Sequence, residues 1–224
     1  MAEIFDDWSD KYDQWFQTTL GRLIKNYESE LVLKMLRPDK DEVILDAGCG
    51  TGIFTSEILK TGARVMGLEL SHKMLGSALT RCGDQVFQPV IGDMRSLPFF
   101  DSSFHKTVSI TAIEFIQDAR VAIEELFRVT KPGGIIVVAT LNSLSPWASQ
   151  RQEAAQKGHK LFRHAVFRSP DEIKSLSPVE GLVQTAIHFR KDDDPAIAPK
   201  IEKEGREKGL STGAFLAARW VKSK

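Results

Sequence analysis

Residues 45–52, Leu-Asp-Ala-Gly-Cys-Gly-Thr-Gly, decide the fold of this chain. They end the apolar run 43–47, which is typical of a buried strand, and they precede a helix predicted over 53–60. Glycines at such a junction allow a tight turn and let a ligand approach the backbone N–H groups at the start of the helix. The stretch therefore predicts a ligand-binding loop between the first strand and first helix of an α/β fold.

The same alternation continues along the chain. Apolar runs at 64–68, 86–91, 105–110 and 135–139 predict further strands, and helices are predicted over 72–81 and 118–130, the second ending at the turn 131–134. Strands that are apolar throughout and separated by helices indicate a parallel sheet covered on both faces. Near the C-terminus, strands are predicted over 179–189 and 213–221, with a helix over 195–208 between them.

The charges around the glycine loop indicate the kind of ligand. Asp46 lies two residues before the first glycine, where a carboxylate would repel a pyrophosphate, and the loop has no P-loop lysine. The glycines are spaced G-x-G-x-G, not G-x-G-x-x-G as in the dinucleotide fingerprint. Glu69 lies about 20 residues after Gly50, the spacing at which a carboxylate accepts ribose hydroxyls. These features predict a nucleoside with a cationic end and no phosphate.

A third element follows the predicted strand at 86–91. Asp93 is placed to bind the amino group of adenine, and the adjacent Met94 to cover the ring. A turn closed by an Asx hydrogen bond is the alternative interpretation of Asp93.

Together these elements resemble the class I S-adenosylmethionine-dependent methyltransferases, in particular the small-molecule, type 11 branch that includes quinone-biosynthesis enzymes. The chain lacks the longer N-terminal signature of the quinone enzymes. The resemblance covers about residues 40–142 and implies a Rossmann-like, doubly wound α/β fold with a seven-stranded sheet whose last strand is antiparallel. Segments similar to the family's motifs are 45–52, 68–75, 92–94, 97–104, 125–129 and 131–134.

The resemblance also implies S-adenosylmethionine as the cofactor and assigns residues to it. Gly48 and Gly50, with Asp46 nearby, would line the methionine end, and Glu69 would bind the ribose. Asp93 and Met94 would hold the adenine. The remaining members of the implied cofactor site are Met74 in the second motif, Thr111 facing the sulfonium, and Tyr12, which would close over the cofactor as part of a Tyr12-Asp13 pair.

The acceptor side carries weaker signals. Glu114, shortly after Thr111, is the candidate for general acid–base catalysis, with an acid at a helix start as the alternative. His159 and His164 titrate near neutrality but are interpreted as surface or packing residues. No metal site is expected, because no Cys/His cluster has structural-zinc spacing.

The segment 143–168 is expected to determine acceptor specificity. Its basic residues are interleaved with aromatic ones, which indicates an anionic or aromatic small-molecule acceptor. A phosphate backbone and a solvated basic helix face are the alternatives. We expect this segment and the aromatic N-terminal segment to close together over the substrate. The basic residues are Arg151, Lys157, Lys160, Arg163 and Arg168, against the single acid Glu153, and the aromatic residues are Trp147, Phe162 and Phe167.

Length and composition set the remaining expectations. The 224 residues, 42% hydrophobic and 27% charged, predict a single domain over 1–224. Thirty basic residues balance thirty acidic ones, so nucleic acid is a disfavoured partner. Two cysteines, an acidic N-terminus and the absence of a long apolar run predict a cytoplasmic protein without a membrane segment. The predicted divisions are an N-terminal helical cap (1–36), a cofactor-binding core (37–142), a substrate-side insert (143–178) and C-terminal strands and helix (179–224).

Two other function classes remain open at this stage. A nicotinamide-dependent oxidoreductase shares the strand–glycine–helix start and the ribose acid, although Asp46 and the glycine spacing count against it. A non-catalytic S-adenosylmethionine-binding regulator would show the same motifs without turnover. A nucleic-acid methyltransferase is disfavoured, because no Asn-Pro-Pro-Tyr-type motif is present to receive a flipped base.

Overall fold

A mixed β-sheet with helices on both faces organises the chain. The structure, a computed structural model, describes residues 2–83 and 86–224. Within these residues the sheet has seven strands in the order β3-β2-β1-β4-β5-β7-β6, and β7 runs antiparallel to both of its neighbours. The predicted seven-stranded sheet with an antiparallel last strand is confirmed. The strands are β1 Val43–Ala47, β2 Arg64–Glu69, β3 Phe87–Ile91, β4 Phe104–Ile110, β5 Thr130–Leu141, β6 Leu182–Ala186 and β7 Phe215–Val221.

The helices pack on the sheet in two layers. Alternate residues of a strand point to opposite faces, so Ile44 of β1 joins a core with helices on one side and Leu45 joins a second core on the other. Ile24 packs in the first core and Ile123 in the second. The helices are α1 Ala2–Gln17, α2 Thr19–Leu36, α3 Thr55–Leu59, α4 His72–Cys82, α5 Ala119–Val129, α6 Pro146–Gln156, α7 Pro170–Ser175 and α8 Ala198–Glu207, with 3-10 turns at Ile113–Phe115 and Phe162–His164.

Several boundaries differ from the prediction because pairing between distant segments sets them. β5 begins at Thr130 and includes the predicted turn, since the Gly133 N–H donates to the Lys222 carbonyl at 2.8 Å and extends the ladder. β6 is shorter than 179–189 and ends where Ile187 adopts a φ of 66°. A left-handed conformation is costly for a β-branched residue and cannot continue a strand. α3 and α8 are likewise shorter than the predicted helices.

Candidate functional site

A cavity of about 450 Å³ lies at the carboxyl ends of β1, β2 and β4. In open α/β sheets, ligands bind at this edge, where the loops after the strands converge. Its walls include all nine residues that the sequence assigned to the cofactor: Tyr12, Asp46, Gly48, Gly50, Glu69, Met74, Asp93, Met94 and Thr111.

The glycine loop is held against β2 by its backbone. The N–H groups of Gly48 and Cys49 both donate to the Leu68 carbonyl, at 2.7 and 3.0 Å. Gly48 has a φ of +80°, and a Cβ built there would lie 2.5 Å from the Cβ of Ala112. Gly50 has a φ of +55° but more space, with Met74 Sδ 4.0 Å from its built Cβ. Both positions therefore favour glycine, and Gly48 also requires it for close packing.

Glu69 connects the glycine loop to the start of α4. Its carboxylate, 7% exposed, accepts the Gly50 N–H at 3.0 Å through Oε2. Its Oε1 accepts the N–H groups of Leu70 and Ser71 at 2.8 and 2.9 Å. Burial raises the pKa of the Glu69 carboxyl above its usual value, although these backbone donors oppose the shift. Glu69 thus also holds the backbone of the glycine loop and of the start of α4, which its spacing in the sequence did not indicate.

Asp46 presents an incompletely satisfied carboxylate at the cavity. Its Oδ2 accepts a hydrogen bond from Thr55 Oγ1 at 2.6 Å. Its Oδ1 is buried and has no partner among the residues that the structure describes. Burial raises the pKa of Asp46 to about 7. An unpaired buried carboxylate oxygen is costly, and a cationic group in the cavity would satisfy it.

The part of the cavity wall that follows β3 is polar. Asp93 is tied to Arg95, whose Nε lies 3.1 and 3.0 Å from its two carboxylate oxygens. The Arg95 guanidinium holds the pKa of Asp93 below its usual range. Asp93 also accepts the Arg95 N–H at 2.9 Å, which is the turn hydrogen bond considered as the alternative interpretation. Asp93 therefore combines a place in the cavity wall with a local turn.

Helix α1 covers the cavity with aromatic side chains. Phe5, Trp8 and Tyr12 recur at helical spacing and line the cavity together. The Phe5 ring meets Phe115 edge-on at 5.1 Å between centroids, and the Tyr12 hydroxyl lies 3.4 Å from Thr111 Oγ1. The sequence analysis assigned Tyr12 to the cofactor site but not Phe5, which the i, i+3, i+7 spacing could have revealed.

The insert contacts helix α1 at the cavity. The Trp8 ring lies 5.1 Å from His159, and Leu161 lines the cavity. The two segments that were expected to close over the substrate are therefore in contact. Whether they open and close during turnover stays a prediction.

A second face of α1 carries acids that hold the helix in place. Asp13 accepts a hydrogen bond from Thr51 Oγ1 in the glycine loop at 2.7 Å and forms an ion pair with Arg81 of α4. Asp6 accepts a hydrogen bond from the side chain of Ser71. Asp10 pairs with Lys73 at 2.9 Å on the surface. These contacts dock α1 on the same loops that form the cavity.

Glu114, the predicted acid–base residue on the acceptor side, is not among the residues that line the cavity. The chain enters a 3-10 turn here, and Glu114 Oε2 accepts a hydrogen bond from Thr140 Oγ1 of β5 at 3.0 Å. The carboxyl is 1% exposed, and burial raises its pKa to about 7. The nearby cations Arg151 and Arg168 oppose this shift, and Glu28 also lies near this carboxyl. A direct catalytic role for Glu114 stays a prediction without support from its position.

Two of the five basic residues in the segment 143–168 make contacts inside the protein. Arg151 lies within the electrostatic reach of Glu28 and Glu114, and burial lowers its pKa to about 10. Arg168 is 7% exposed and donates to backbone carbonyls. The basic surplus of this segment is therefore smaller at the surface than the sequence count indicated; the exposed members are Lys157, Lys160 and Arg163.

Two kinds of feature are absent from residues 2–83 and 86–224. No helix in these ranges is both long and apolar enough to cross a membrane. The same ranges hold no group of three or more His, Cys, Asp or Glu side chains arranged to bind a metal ion.

Comparisons with known proteins identify the family. The profile of the methyltransferase domain matches residues 45–138. A malonyl-[acyl-carrier protein] O-methyltransferase from Yersinia pestis is 39% identical over 198 residues, covering 79% of this chain and 68% of that protein. A demethylmenaquinone methyltransferase from Corynebacterium efficiens is 31% identical over 148 residues, covering 64% of this chain and 60% of that protein.

Solved structures agree with the fold. A Thermotoga maritima methyltransferase, described as a possible histamine N-methyltransferase, superposes with a TM-score of 0.74 at 22% identity and full coverage of both chains. The fold and cavity define a nucleoside-binding α/β protein of the methyltransferase class. The chain belongs to the class I S-adenosylmethionine-dependent methyltransferases, and S-adenosylmethionine is its cofactor. The oxidoreductase alternative finds no support in these comparisons.

Proposed function

We propose that this enzyme transfers a methyl group to a small-molecule acceptor that binds beneath α1, next to the cofactor. The observation that carries the proposal is the continuity of the cavity, whose wall runs from Gly48 and Glu69 to Phe5, Trp8 and Phe115. Its volume of about 450 Å³ lies in the range of pockets that bury one drug-sized ligand. In this proposal the acceptor occupies the part of the cavity next to the aromatic side chains Phe5, Trp8 and Phe115.

The cavity residues fit the cofactor in charge and shape. Asp46 Oδ1, buried and unpartnered, suits the cationic methionine end, and Gly48 leaves the backbone open to close approach. In this proposal Glu69 binds the ribose hydroxyls, and Asp93 with Met94 binds the adenine. These roles follow the family pattern, and the shared cavity wall supports them.

The chain's own residues then bind and orient the reactants. When bound, the cofactor supplies an electrophilic methyl group on a sulfonium sulfur. The aromatic rings of Trp8 and Tyr12 suit a cation at this point, since such rings attract positive charge. Holding acceptor and methyl group in line can contribute several kcal/mol without a strong base. Burial raises the pKa of Tyr12 above its usual value, so its hydroxyl stays protonated and orients groups without removing a proton.

The residues that line the cavity favour an aromatic acceptor over an anionic one. Phe5, Trp8, Phe115 and Leu161 form the side of the cavity nearest the α1 cover, and all four present apolar surface. Arg151 is half-buried and Arg168 is buried, and neither is among the lining residues. We therefore expect an acceptor with an apolar or aromatic body and one nucleophilic atom.

A second candidate acceptor is an acyl group carried by an acyl carrier protein. Similarity to the Yersinia pestis enzyme favours it, because that relative's name specifies such a substrate. The exposed cations Lys157, Lys160 and Arg163 lie in the segment that contacts the α1 cover, where they would suit an acidic carrier protein.

A methyl-transfer screen tests both candidates. Purified enzyme with methyl-labelled S-adenosylmethionine is offered phenols, hydroquinones, arylamines, free dicarboxylic acids and malonyl-charged acyl carrier protein. Transfer to an aromatic class, reduced in Phe115→Ala but not in the matched surface variant Phe100→Ala, supports the proposal. Methyl transfer only to the malonyl-loaded carrier protein, reduced in Lys160→Glu, supports the second candidate. Tight cofactor binding without transfer to any acceptor, with demonstrably folded enzyme, contradicts both and favours the non-catalytic regulator.

A further inference from the structure

The loop after β4, residues 111–117, forms much of the cavity wall. Five of its residues line the cavity: Thr111, Ala112, Phe115, Ile116 and Gln117. Its first residue, Thr111, has a φ of 48°, a left-handed conformation that is costly for a β-branched side chain. Strained backbone persists only where the surrounding structure determines it. Contacts from elsewhere must therefore hold this loop.

Arg168, in the insert, supplies three of those contacts, and Thr111 itself donates its N–H to the Ala139 carbonyl at 2.8 Å. Arg168 Nη1 donates to the Ile113 carbonyl at 3.1 Å, and its Nη2 donates to the carbonyls of Ile116 and Gln117 at 2.9 and 3.3 Å. A longer contact of 3.4 Å joins Nη1 to the Val166 carbonyl. The side chain is buried, so these hydrogen bonds lie in a region of low dielectric and are stronger than at the surface.

The neighbouring backbone strengthens the same connection. The Val166 N–H donates to the Glu114 carbonyl at 2.7 Å, and Ser143 N–H donates to the Arg168 carbonyl at 3.1 Å. The segment carrying Arg168 is thus fixed both to the loop and to the end of β5. No carboxylate hydrogen-bonds to Arg168 in the described parts of the chain, so its guanidinium is committed to backbone oxygens.

We propose that Arg168 is a positioning residue that sets the conformation of loop 111–117 and, through it, the shape of the cofactor cavity. A planar guanidinium can donate to several separated carbonyls at once, whereas a lysine ammonium is a single point donor on a flexible stem. The arginine therefore defines the spacing of the three carbonyls that it joins. It acts on the cavity without lining it.

The test uses S-adenosylhomocysteine as the probe, because its binding needs no acceptor. Arg168→Ala and Arg168→Lys are compared with Arg163→Ala, an exposed arginine of the same segment whose Nε donates only to His164. Titration calorimetry measures affinity, and hydrogen exchange reports protection of the amides of 113–117. We expect Arg168→Ala to lose about tenfold or more in affinity, as for a lost charged hydrogen bond. Protection should fall in this loop while that of β1 and β4 is retained, and Arg163→Ala should match the wild type.

Two further comparisons separate positioning from general stability. Arg168→Lys should have a free energy of unfolding between those of Arg168→Ala and the wild type. It should nevertheless bind S-adenosylhomocysteine nearly as weakly as Arg168→Ala does. Millimolar guanidinium, far below denaturing concentrations, should restore part of the affinity of Arg168→Ala and none for Arg163→Ala. If Arg168→Ala does not fold, the lysine variant alone decides. Wild-type affinity and loop protection in either folded Arg168 variant would overturn the proposal, as would weakened affinity with unchanged loop protection.

Discussion

The carboxylate of Glu69, at the end of β2, accepts the backbone N–H of Gly50, in the loop after β1, at 3.0 Å. This hydrogen bond joins the two sequence signals that pointed most directly to a nucleoside. Because the same carboxylate also accepts two N–H groups at the start of α4, Glu69 shapes the cavity that it lines.

Glu69→Ala should therefore reduce both S-adenosylhomocysteine affinity and the free energy of unfolding, each by about 1–3 kcal/mol, the range for hydrogen bonds to a charged group. Calorimetry and urea denaturation measure the two quantities. Glu69→Gln should be intermediate in stability, since its single carbonyl oxygen can replace only one of the two carboxylate acceptors. A loss of stability with unchanged affinity would contradict the ribose contact.

The two loop glycines should differ in their tolerance of alanine. Gly48→Ala places a Cβ 2.5 Å from Ala112 Cβ, whereas Gly50→Ala meets only Met74 at 4.0 Å. In both variants the left-handed backbone conformation destabilises the protein by about 1–2 kcal/mol. Because only Gly48→Ala adds a steric clash, it should be the more destabilising of the two. Urea denaturation of both variants checks this ranking. Adding Ala112→Gly should recover part of the Gly48→Ala loss and none of the Gly50→Ala loss; equal effects of the two single substitutions would contradict the packing account.

Cofactor affinity should depend on the ionisation of Asp46. Burial raises its pKa to about 7, so between about pH 4 and pH 7 the folded protein holds a proton that the unfolded chain releases. This group's contribution to stability falls as pH rises through that window. The ammonium group of S-adenosylhomocysteine favours the carboxylate, so its affinity should rise as pH increases towards about 7 and level off above it.

Asp46→Asn should remove that pH dependence of affinity, measured by calorimetry across the same range. Glu114→Gln is the matched control, because Glu114 is also buried with a pKa raised to about 7 but does not line the cavity. It should leave the slope unchanged. A slope that survives in Asp46→Asn and disappears in Glu114→Gln would reverse the assignment.

The acidic face of α1 should control how long the ligand stays bound. Asp13→Asn weakens the contacts of α1 with Thr51 and Arg81, so dissociation of S-adenosylhomocysteine should accelerate by roughly fivefold, the factor that corresponds to one hydrogen bond. Stopped-flow fluorescence measures the rate. Asp10→Asn removes only an exposed ion pair with Lys73 and should have little effect. Identical rates in both variants and the wild type would argue against a covering role for α1.

Cys49 should be chemically silent. Its thiol is buried, and burial raises its pKa well above the usual value, so it carries no thiolate near neutral pH. Cys49→Ala should keep methyl transfer and cofactor affinity near the wild-type values. An inactive but folded Cys49→Ala enzyme would show that the side chain takes part in the reaction.

Local sequence patterns predicted the sheet and the cavity-lining residues well, because both depend on short-range features. Apolar runs identify strands such as β1, and glycine spacing with Glu69 identifies the ligand loop. Strand boundaries were less accurate: the extension of β5 depends on the Gly133–Lys222 pairing, whose partners are far apart in sequence. No local pattern signals that pairing.

The supporting residues were missed for the same reason. Arg168 counted as one of five cations, and its sequence neighbourhood gives no sign that its guanidinium meets the carbonyls of loop 111–117. Glu114 was assigned by its distance from Thr111, but the 3-10 turn directs its carboxylate to Thr140. Asp13 was noted only as the neighbour of Tyr12, although its contacts dock α1.

A crystal structure of the enzyme with S-adenosylhomocysteine tests the central claim most directly. We expect the ribose hydroxyls within hydrogen-bond distance of Glu69, the amino group near Asp46, and the sulfur facing a space walled by Phe5, Trp8 and Phe115. Binding outside this cavity, or a sulfur directed away from the aromatic wall, would contradict the account.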